Sequence, residues 1–244
     1  MFAAINVLVV DAGNTSVKYT AFENGGITGS EREMNAFKEA RFAPEVIYFA
    51  SVRSLEDDEG LCADLVAMYP DISLIKLKTE AVACGVVNAY FEPERLGVDR
   101  WLSIIAAHHE IKGDVVVVDV GTAIKIDVVS TEGRHLGGYI APGFSLMEQS
   151  LLSSTAKVRY LTCEVEGGGG LPNSTARAVT EGCYEMIFGF VERIYRKYSH
   201  FNWVVTGGDS MLLLDALDIP MKHHSSLVAC GAVLVGDELL RGGQ

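Results

Sequence analysis

Three carboxylates in this chain stand where residue type and spacing allow chemistry: Asp11, Asp99 and Asp119. Asp11 ends an apolar run and opens DAGNTSVK (residues 11–18), and Asp119 ends a run of four valines and opens DVGTA (residues 119–123). Unbroken Val, Ile and Leu suit a strand buried on both faces, and the glycine that follows permits a tight turn. Each tip then carries a carboxylate, a small hydroxylated residue and free backbone N–H groups, a set that can hold phosphate oxygens and a divalent cation. In the first loop, Asp11 is expected to hold Mg²⁺ through water, with Asn14, Thr15 and Lys18 reaching terminal phosphates. In the second, formed by Asp119, Gly121 and Thr122, a carboxylate at the end of a buried strand is costly unless it is paired or binds a cation. One Asp-x-Gly is a common turn, but two in matched settings point to a duplicated nucleotide site between two lobes.

Asp99 and Arg100 fall in the first turn of a helix expected over residues 97–111, whose apolar positions Val98, Trp101, Leu102 and Ile105 have the spacing of one buried face. A carboxylate there can take the proton of a hydroxyl that attacks a phosphoryl group, and the neighbouring Arg can bind an anion in bidentate fashion. The plainer alternative is a surface ion pair at a helix start, worth under about 1 kcal/mol. Thr206, Gly207, Gly208 and Asp209 follow a strand and open a helix, so the two glycines offer a surface free of side chains for adenine or ribose. The adjacent pairs His108–His109 and His223–His224 cannot share a helix face as metal ligands and read as structural or solvated. Trp101 reads as core.

These residues need elements to position them. Strands are expected over residues 6–12, 16–22 and 26–33, then 46–52, followed by a helix over 55–68 capped by Ser54 and bearing acidic residues in its first turn. After a boundary at Gly113, expected as a helix C-cap, the pattern restarts with strands over 114–120, 123–129 and 135–140 and a turn at Pro142 and Gly143. Helices are expected over 145–152, 175–198, 210–217 and 226–240, with a strand over 202–206. In the last helix, Gly231 and Gly236 permit close packing. The stretch 155–172, with glycines at 167–170, reads as a mobile loop. The expected fold is α/β, with two similar lobes, residues 1–112 and 113–244, and a nucleotide cleft between them.

With 244 residues, 49% of them hydrophobic, the chain can bury a sizeable core. A net charge of −12 without a basic block argues against a nucleic-acid partner. Five cysteines, an odd number without Cys-x-x-Cys spacing, read as reduced thiols rather than zinc ligands or disulfides. The apolar N-terminus lacks a basic leader and breaks at Asp11, so it reads as a first strand. No membrane span is expected, and the location expected is cytoplasmic.

Six motifs together carry a resemblance: DAGNTSVK at 11–18, YFEPERLGVDRW at 90–101, DVGTA at 119–123, GGYIAPG at 137–143, STARA at 174–178 and TGGD at 206–209. In this order they resemble the type III pantothenate kinases, of the acetate kinase, sugar kinase, Hsp70 and actin fold superfamily. The resemblance implies ribonuclease H-like lobes and ATP-dependent phosphorylation of pantothenate to 4′-phosphopantothenate, the first step of coenzyme A synthesis. It implies Asp99 as general base, and Tyr90, Gly97, Val98 and Arg100 lining the pantothenate pocket. Thr175 would come from the neighbouring subunit, in a homodimer with sites at the interface. Asp11, Ala12, Gly13, Asn14, Thr15, Ser16, Val17, Lys18 and Thr122 would bind ATP, and Asp119 would ligate a monovalent cation, K⁺ or NH₄⁺.

One residue departs from the family pattern: Lys125 stands where the family usually has a small hydroxylated residue. By strand alternation Lys125 and Asp127 share a face, which allows an ion pair between them. The alternative is that the Lys125 ammonium reaches the monovalent-cation site or a phosphate and partly replaces K⁺. Two other functional readings are weighed: a superfamily kinase for another small hydroxylated substrate, and a noncatalytic regulatory or transcription-accessory protein. The intact Asp11, Asp99 and Asp119 count against the latter.

Overall fold

The computed structural model describes residues 5–165 and 169–242. Gly167 and Gly168 of the expected glycine loop lie outside the described residues. Strands β1 (Val7–Ala12), β2 (Val17–Glu23) and β3 (Gly26–Glu31) form an antiparallel meander. β4 (Val46–Ser51) and β5 (Ser73–Lys76) then join in parallel, giving the order β3-β2-β1-β4-β5. The apolar runs of β1 and β4 are buried almost throughout, as central strands covered on both faces require. Helix α1 (Asn35–Glu39) and helix α2 (Leu55–Met68) lie between these strands in the chain. Ser54 caps α2 as expected, its hydroxyl accepting the Asp57 N–H at 3.2 Å.

A short hairpin of β6 (Val82–Ala83) and β7 (Val86–Val87) precedes helix α3 (Val98–Glu110). The second sheet is built from β8 (Val115–Val120), β9 (Ala123–Val129), β10 (His135–Pro142), β11 (Asn202–Thr206) and β12 (Met221–His223), in the order β10-β9-β8-β11-β12. Its order repeats that of the first sheet, strand for strand. Helices α4 (Phe144–Ser154), α5 (Thr175–Tyr195), α6 (Ser210–Ala216) and α7 (Leu227–Gly242) complete the chain. The expected strands and longer helices are present, whereas β5, β6, β7 and β12 were not anticipated. Among the described residues no helix is long and apolar enough to cross a membrane.

Two details differ from expectation. Helix α3 is closed by Ile111 in extended conformation, and Gly113, with φ at 91°, lies beyond the cap. Pro142 ends β10 and Gly143 is the N-cap of α4, so this pair does not form the expected turn.

The chain forms two compact units. The first contains residues up to Val115, Asp127–Gly137 and the stretch from Ser225 onward; the second contains Val116–Ile126 and Gly138–His224. The chain first passes from one unit to the other close to the boundary expected at 112, but its last helix returns to the first unit. The reason is packing: α7 lies against α3, β1 and β4. A Cβ at Gly231 would fall 2.0 Å from the Leu102 carbonyl oxygen, and one at Gly236 would fall 2.4 Å from the Tyr48 ring. The two glycines let α7 approach a helix and a strand more closely than any larger residue would.

Burial in this unit also sets its response to alkali. Burial, and then the Glu238 carboxylate, push the Cys84 thiol up to about 12. Burial and Glu110 do the same to Cys230, also to about 12. Tyr48, buried and donating to Asp237 Oδ1 at 2.9 Å, is raised as well. Groups raised on folding contribute stability that is full below their unfolded pKa and is lost as the pH climbs toward the folded one. Lys18, lowered chiefly by burial and partly restored by Asp11, works in the opposite sense. The three acids outnumber it, so the melting temperature should fall as the pH rises from about 9 toward 12, and Cys230→Ala should flatten the fall; a flat profile in the parent protein would contradict this.

Candidate active site

In the first unit, Asp11 sits at the end of β1 in register with Lys18 on β2 and Ala50 on β4. The turn between β1 and β2 is held by the Gly13 N–H donating to the Ser16 carbonyl at 3.0 Å, which leaves Asn14, Thr15 and Ser16 exposed. Ala12 is buried and Val17 half-buried. The Lys18 ammonium donates to the Ser225 carbonyl, and desolvation lowers its pKa against the pull of Asp11. This lysine was expected to reach phosphate; the structure ties it to the backbone that leads into α7.

Helix α3 begins beside the same strands. Gly97 is its N-cap, and the half-buried Asp99 folds its Oδ1 back to accept the Arg100 N–H at 2.8 Å. A Cβ on Gly97 would come 2.7 Å from that Oδ1 and 3.7 Å from the Val52 side chain. Val52 in turn donates its N–H to the Ala12 carbonyl at 3.1 Å. The start of α3 and the tip of the first hairpin are therefore neighbours, linked through Val52. Val98 itself is buried, at 7% exposure.

Arg100 is not the surface ion pair that its position allowed. Its Nε and Nη2 grip Asp127 through bonds of 2.8 and 2.6 Å, and its Nη1 donates to the Tyr90 hydroxyl at 3.0 Å. The side chains of Arg100 and Asp127 are only 3% and 4% exposed. Desolvation would lower the guanidinium pKa, but the two hydrogen bonds to Asp127 and its charge raise it overall. The Tyr90 ring also lies under the guanidinium, 5.8 Å from its carbon, and stacks at 6.2 Å on His135.

Asp127 thus does not pair with Lys125, as strand alternation permitted. Its second partner is His135, whose Nε2 lies 3.0 Å from Asp127 Oδ1 while Nδ1 faces the Ala89 N–H at 3.4 Å. A backbone N–H pointing at Nδ1 leaves that nitrogen as the acceptor, so Nε2–H donates to the carboxylate. Sequence reasoning assigned no role to Asp127 or His135 at this site. A signal existed in the tight turn between β9 and β10, where Ser130 N–H donates to the Arg134 carbonyl at 2.9 Å. Registering that hairpin brings the two residues within reach.

In the second unit, Asp119 ends β8, and its Oδ2 accepts from Lys125 Nζ at 2.7 Å. Gly207 packs directly on this place: at φ 95° it adopts a conformation that favours glycine, and a Cβ would meet Asp119 Oδ1 at 2.5 Å and the Val120 carbonyl oxygen at 2.2 Å. Gly208 is open, with nothing within 4 Å of its Cβ position. The two glycines therefore differ, one a support for the carboxylate and one an exposed surface. Thr122 is exposed, and its carbonyl accepts the Gly143 N–H at 2.9 Å. A Cβ on Gly143 would fall 1.9 Å from the Gly121 carbonyl oxygen, so this glycine of GGYIAPG seats the second loop. Thr175 is exposed at the first position of α5, after the N-cap Ser174.

Comparison with known proteins shows the family of the chain. A family profile described as type III pantothenate kinase matches residues 7–197. A protein named type III pantothenate kinase from Marinomonas sp. (strain MWYL1) is 61% identical over 236 residues, covering 97% of each chain. The chain belongs to the type III pantothenate kinase family. Among solved structures, a Campylobacter jejuni protein assigned to the Baf family of transcriptional activators aligns over 96% of this chain and 99% of its own, with TM-score 0.61 and 22% identity. The activator of 2-hydroxyisocaproyl-CoA dehydratase from Clostridium difficile, with bound ADPNP, covers 98% of this chain and 97% of its own at TM-score 0.58 and 13% identity. At such identities the likeness is one of fold, and it agrees with the duplicated sheet order. This member of the type III pantothenate kinase family carries the expected α/β architecture, with two sheets of the same strand order.

Removing one member of a buried ion pair leaves the other charge uncompensated, at a cost of about 3–5 kcal/mol. Asp127→Asn should therefore lower unfolding stability by about 3 kcal/mol in urea titrations, and the double variant with Arg100→Met should lose less than the sum of the two singles. Additive losses would show that the pair is not coupled.

Proposed function

We propose that the protein is a pantothenate kinase, transferring the γ-phosphoryl group of ATP to the pantothenate hydroxyl to give 4′-phosphopantothenate in coenzyme A biosynthesis. The observation that carries the reading is the start of α3 within a chain of this family: a half-buried Asp99 fixed by its own helix start, beside the hairpin of Asp11. Asp99 accepts the proton of the attacking hydroxyl as the new oxygen–phosphorus bond forms and the bond to the leaving ADP oxygen breaks. Tyr90, Gly97, Val98 and Arg100 form the pantothenate pocket. Two guanidinium N–H groups of Arg100 remain beyond the three used on Asp127 and Tyr90, which suits a polar contact to substrate.

ATP is held by residues 11–18, Thr122, Gly207 and Gly208. Backbone N–H groups of exposed Asn14, Thr15 and Ser16, the Asn14 amide and the hydroxyls of Thr15 and Ser16 suit phosphate oxygens, while Lys18 acts by charge from its tethered position. The half-buried Asp11 carboxylate beside this turn is the right donor type for a hydrated Mg²⁺, which supplies charge neutralisation to the phosphates when bound. Phosphoryl transfer of this kind depends mostly on positioning and charge stabilisation.

The enzyme works as a homodimer, with Thr175 contributed to the partner's pantothenate site. Support comes from exposed apolar residues in the second unit: α4 has no buried residue among its eleven, and Ile140, Leu146, Leu151 and Met186 are all exposed. Apolar surface of this kind on packed elements marks an association surface.

Two measurements test the reading. Asp99→Asn should keep the fold, judged by circular dichroism and melting, while turnover in a coupled assay of pantothenate-dependent ADP release falls by about 10²-fold or more. Unchanged turnover would remove Asp99 from the chemistry, and no pantothenate dependence in the parent protein would remove the substrate. Leu146→Asp should convert a dimer to a folded monomer in light scattering after gel filtration; a monomeric parent, or an unaffected dimer, would count against this face.

A further inference from the structure

Asp119 is the residue that family resemblance assigns to a monovalent cation, and its surroundings do not fit a free ion. Its Oδ2 already faces the Lys125 ammonium at 2.7 Å, within the range of a charge-assisted hydrogen bond, and both side chains are mostly buried, at 17% and 20% exposure. On the other side, Oδ1 lies against the Gly207 backbone. A K⁺ ion brought to this carboxylate would sit beside a fixed positive charge in a partly desolvated place, where like charges repel strongly.

We propose that the Lys125 ammonium is the resident monovalent cation of this protein, so that it neither requires nor binds K⁺ or NH₄⁺ at Asp119. A lysine ammonium is chemically an alkylated NH₄⁺. Carried on β9, the neighbour of β8 in the sheet, it is held at the carboxylate at high effective concentration and cannot dissociate. The need itself is physical: Asp119 follows four buried valines, and its charge at the strand end must be compensated. Where a small hydroxylated residue would leave room for an ion, Lys125 fills the room and supplies the charge. The activity arm of the test rests on the kinase reading; the binding arms do not.

The parent protein and Lys125→Ser are compared in buffers free of K⁺ and NH₄⁺, with choline chloride or KCl at equal ionic strength. The parent's turnover should differ by less than about twofold between the salts, whereas Lys125→Ser should be slowed about a hundredfold in choline and recover in KCl or NH₄Cl, the scale for loss and return of a preorganised charge. Without substrates, KCl should raise the melting temperature over choline only in Lys125→Ser. Thallium-205 resonance, with Tl⁺ standing in for K⁺, should report a bound ion only in that variant. Strong K⁺ activation of the parent, Tl⁺ bound to the parent, or a Lys125→Ser protein indifferent to K⁺ in every readout would overturn the proposal. If Lys125→Ser does not fold, the parent's K⁺ response and Tl⁺ binding decide it alone. If neither protein turns over pantothenate, the kinase reading fails while melting and thallium binding still decide the cation question.

Discussion

A carboxylate carried on an apolar strand must be neutralised within reach of its own side chain, and much of this structure follows from that constraint. Water cannot solvate Asp127 on β9, where only 4% of its side chain is exposed, so Arg100 and His135 do so instead. Asp237, on the buried face of α7, receives the Tyr48 hydroxyl and lies within 3.8 Å of Arg241. Asp119 receives Lys125. Each partnership fixes the element that supplies the donor: α3 is anchored to β9 through Arg100, and α7 to β4 through Tyr48. A buried pair is weak evidence for net stability, but it is selective, because any other placement of the helix leaves a bare charge.

The long central strands were legible because unbroken β-branched runs have few alternative structures. The bounds of β1, β4, β8 and β11 fall within about one residue of those expected. The edge strands β5 and β12 were not legible, for a physical reason. β5 and β12, four and three residues long, extend the two sheets in parallel, with only partly buried or exposed side chains, so neither alternation nor an apolar run marks them. Their backbones are ordered by the strand beside them rather than by their own side chains. The return of α7 to the first unit was hidden for a similar reason: the chain order suggests consecutive halves, but Gly231 and Gly236 are cut to fit Leu102 and Tyr48.

The site was readable where local geometry suffices. Helical spacing placed Asp99 in the first turn of α3, and the Asp-Gly turns placed Asp11 and Asp119 at strand ends. Partner choice was not readable. Strand alternation puts Lys125 and Asp127 on one face, yet they bond in different directions, Lys125 to β8 and Asp127 to α3. Both charges had a nearby opposite on the same strand, and both took a partner that tertiary packing brought closer. The bidentate fork of arginine explains the stronger claim on Asp127, since two parallel bonds to one carboxylate fix both its charge and its plane.

Three motif glycines complete this logic, and only one of them is needed for its backbone angle. Gly97 and Gly143 have negative φ, at −53° and −75°, and any residue could adopt those conformations. Their service is space: the first keeps a Cβ away from the Asp99 carboxylate, the second away from the Gly121 carbonyl. Gly207 provides both, with φ at 95° and the Asp119 carboxylate against its α-carbon. In each case the missing side chain decides where a neighbouring oxygen points. An added methyl at Gly97 would meet the carboxylate end of the Asp99 side chain, which can give way by turning, whereas one at Gly143 or Gly207 would meet backbone, which cannot. Substitution at Gly97 therefore acts on the orientation of the carboxylate while sparing the fold, and substitution at the other two acts on the fold of the second loop itself.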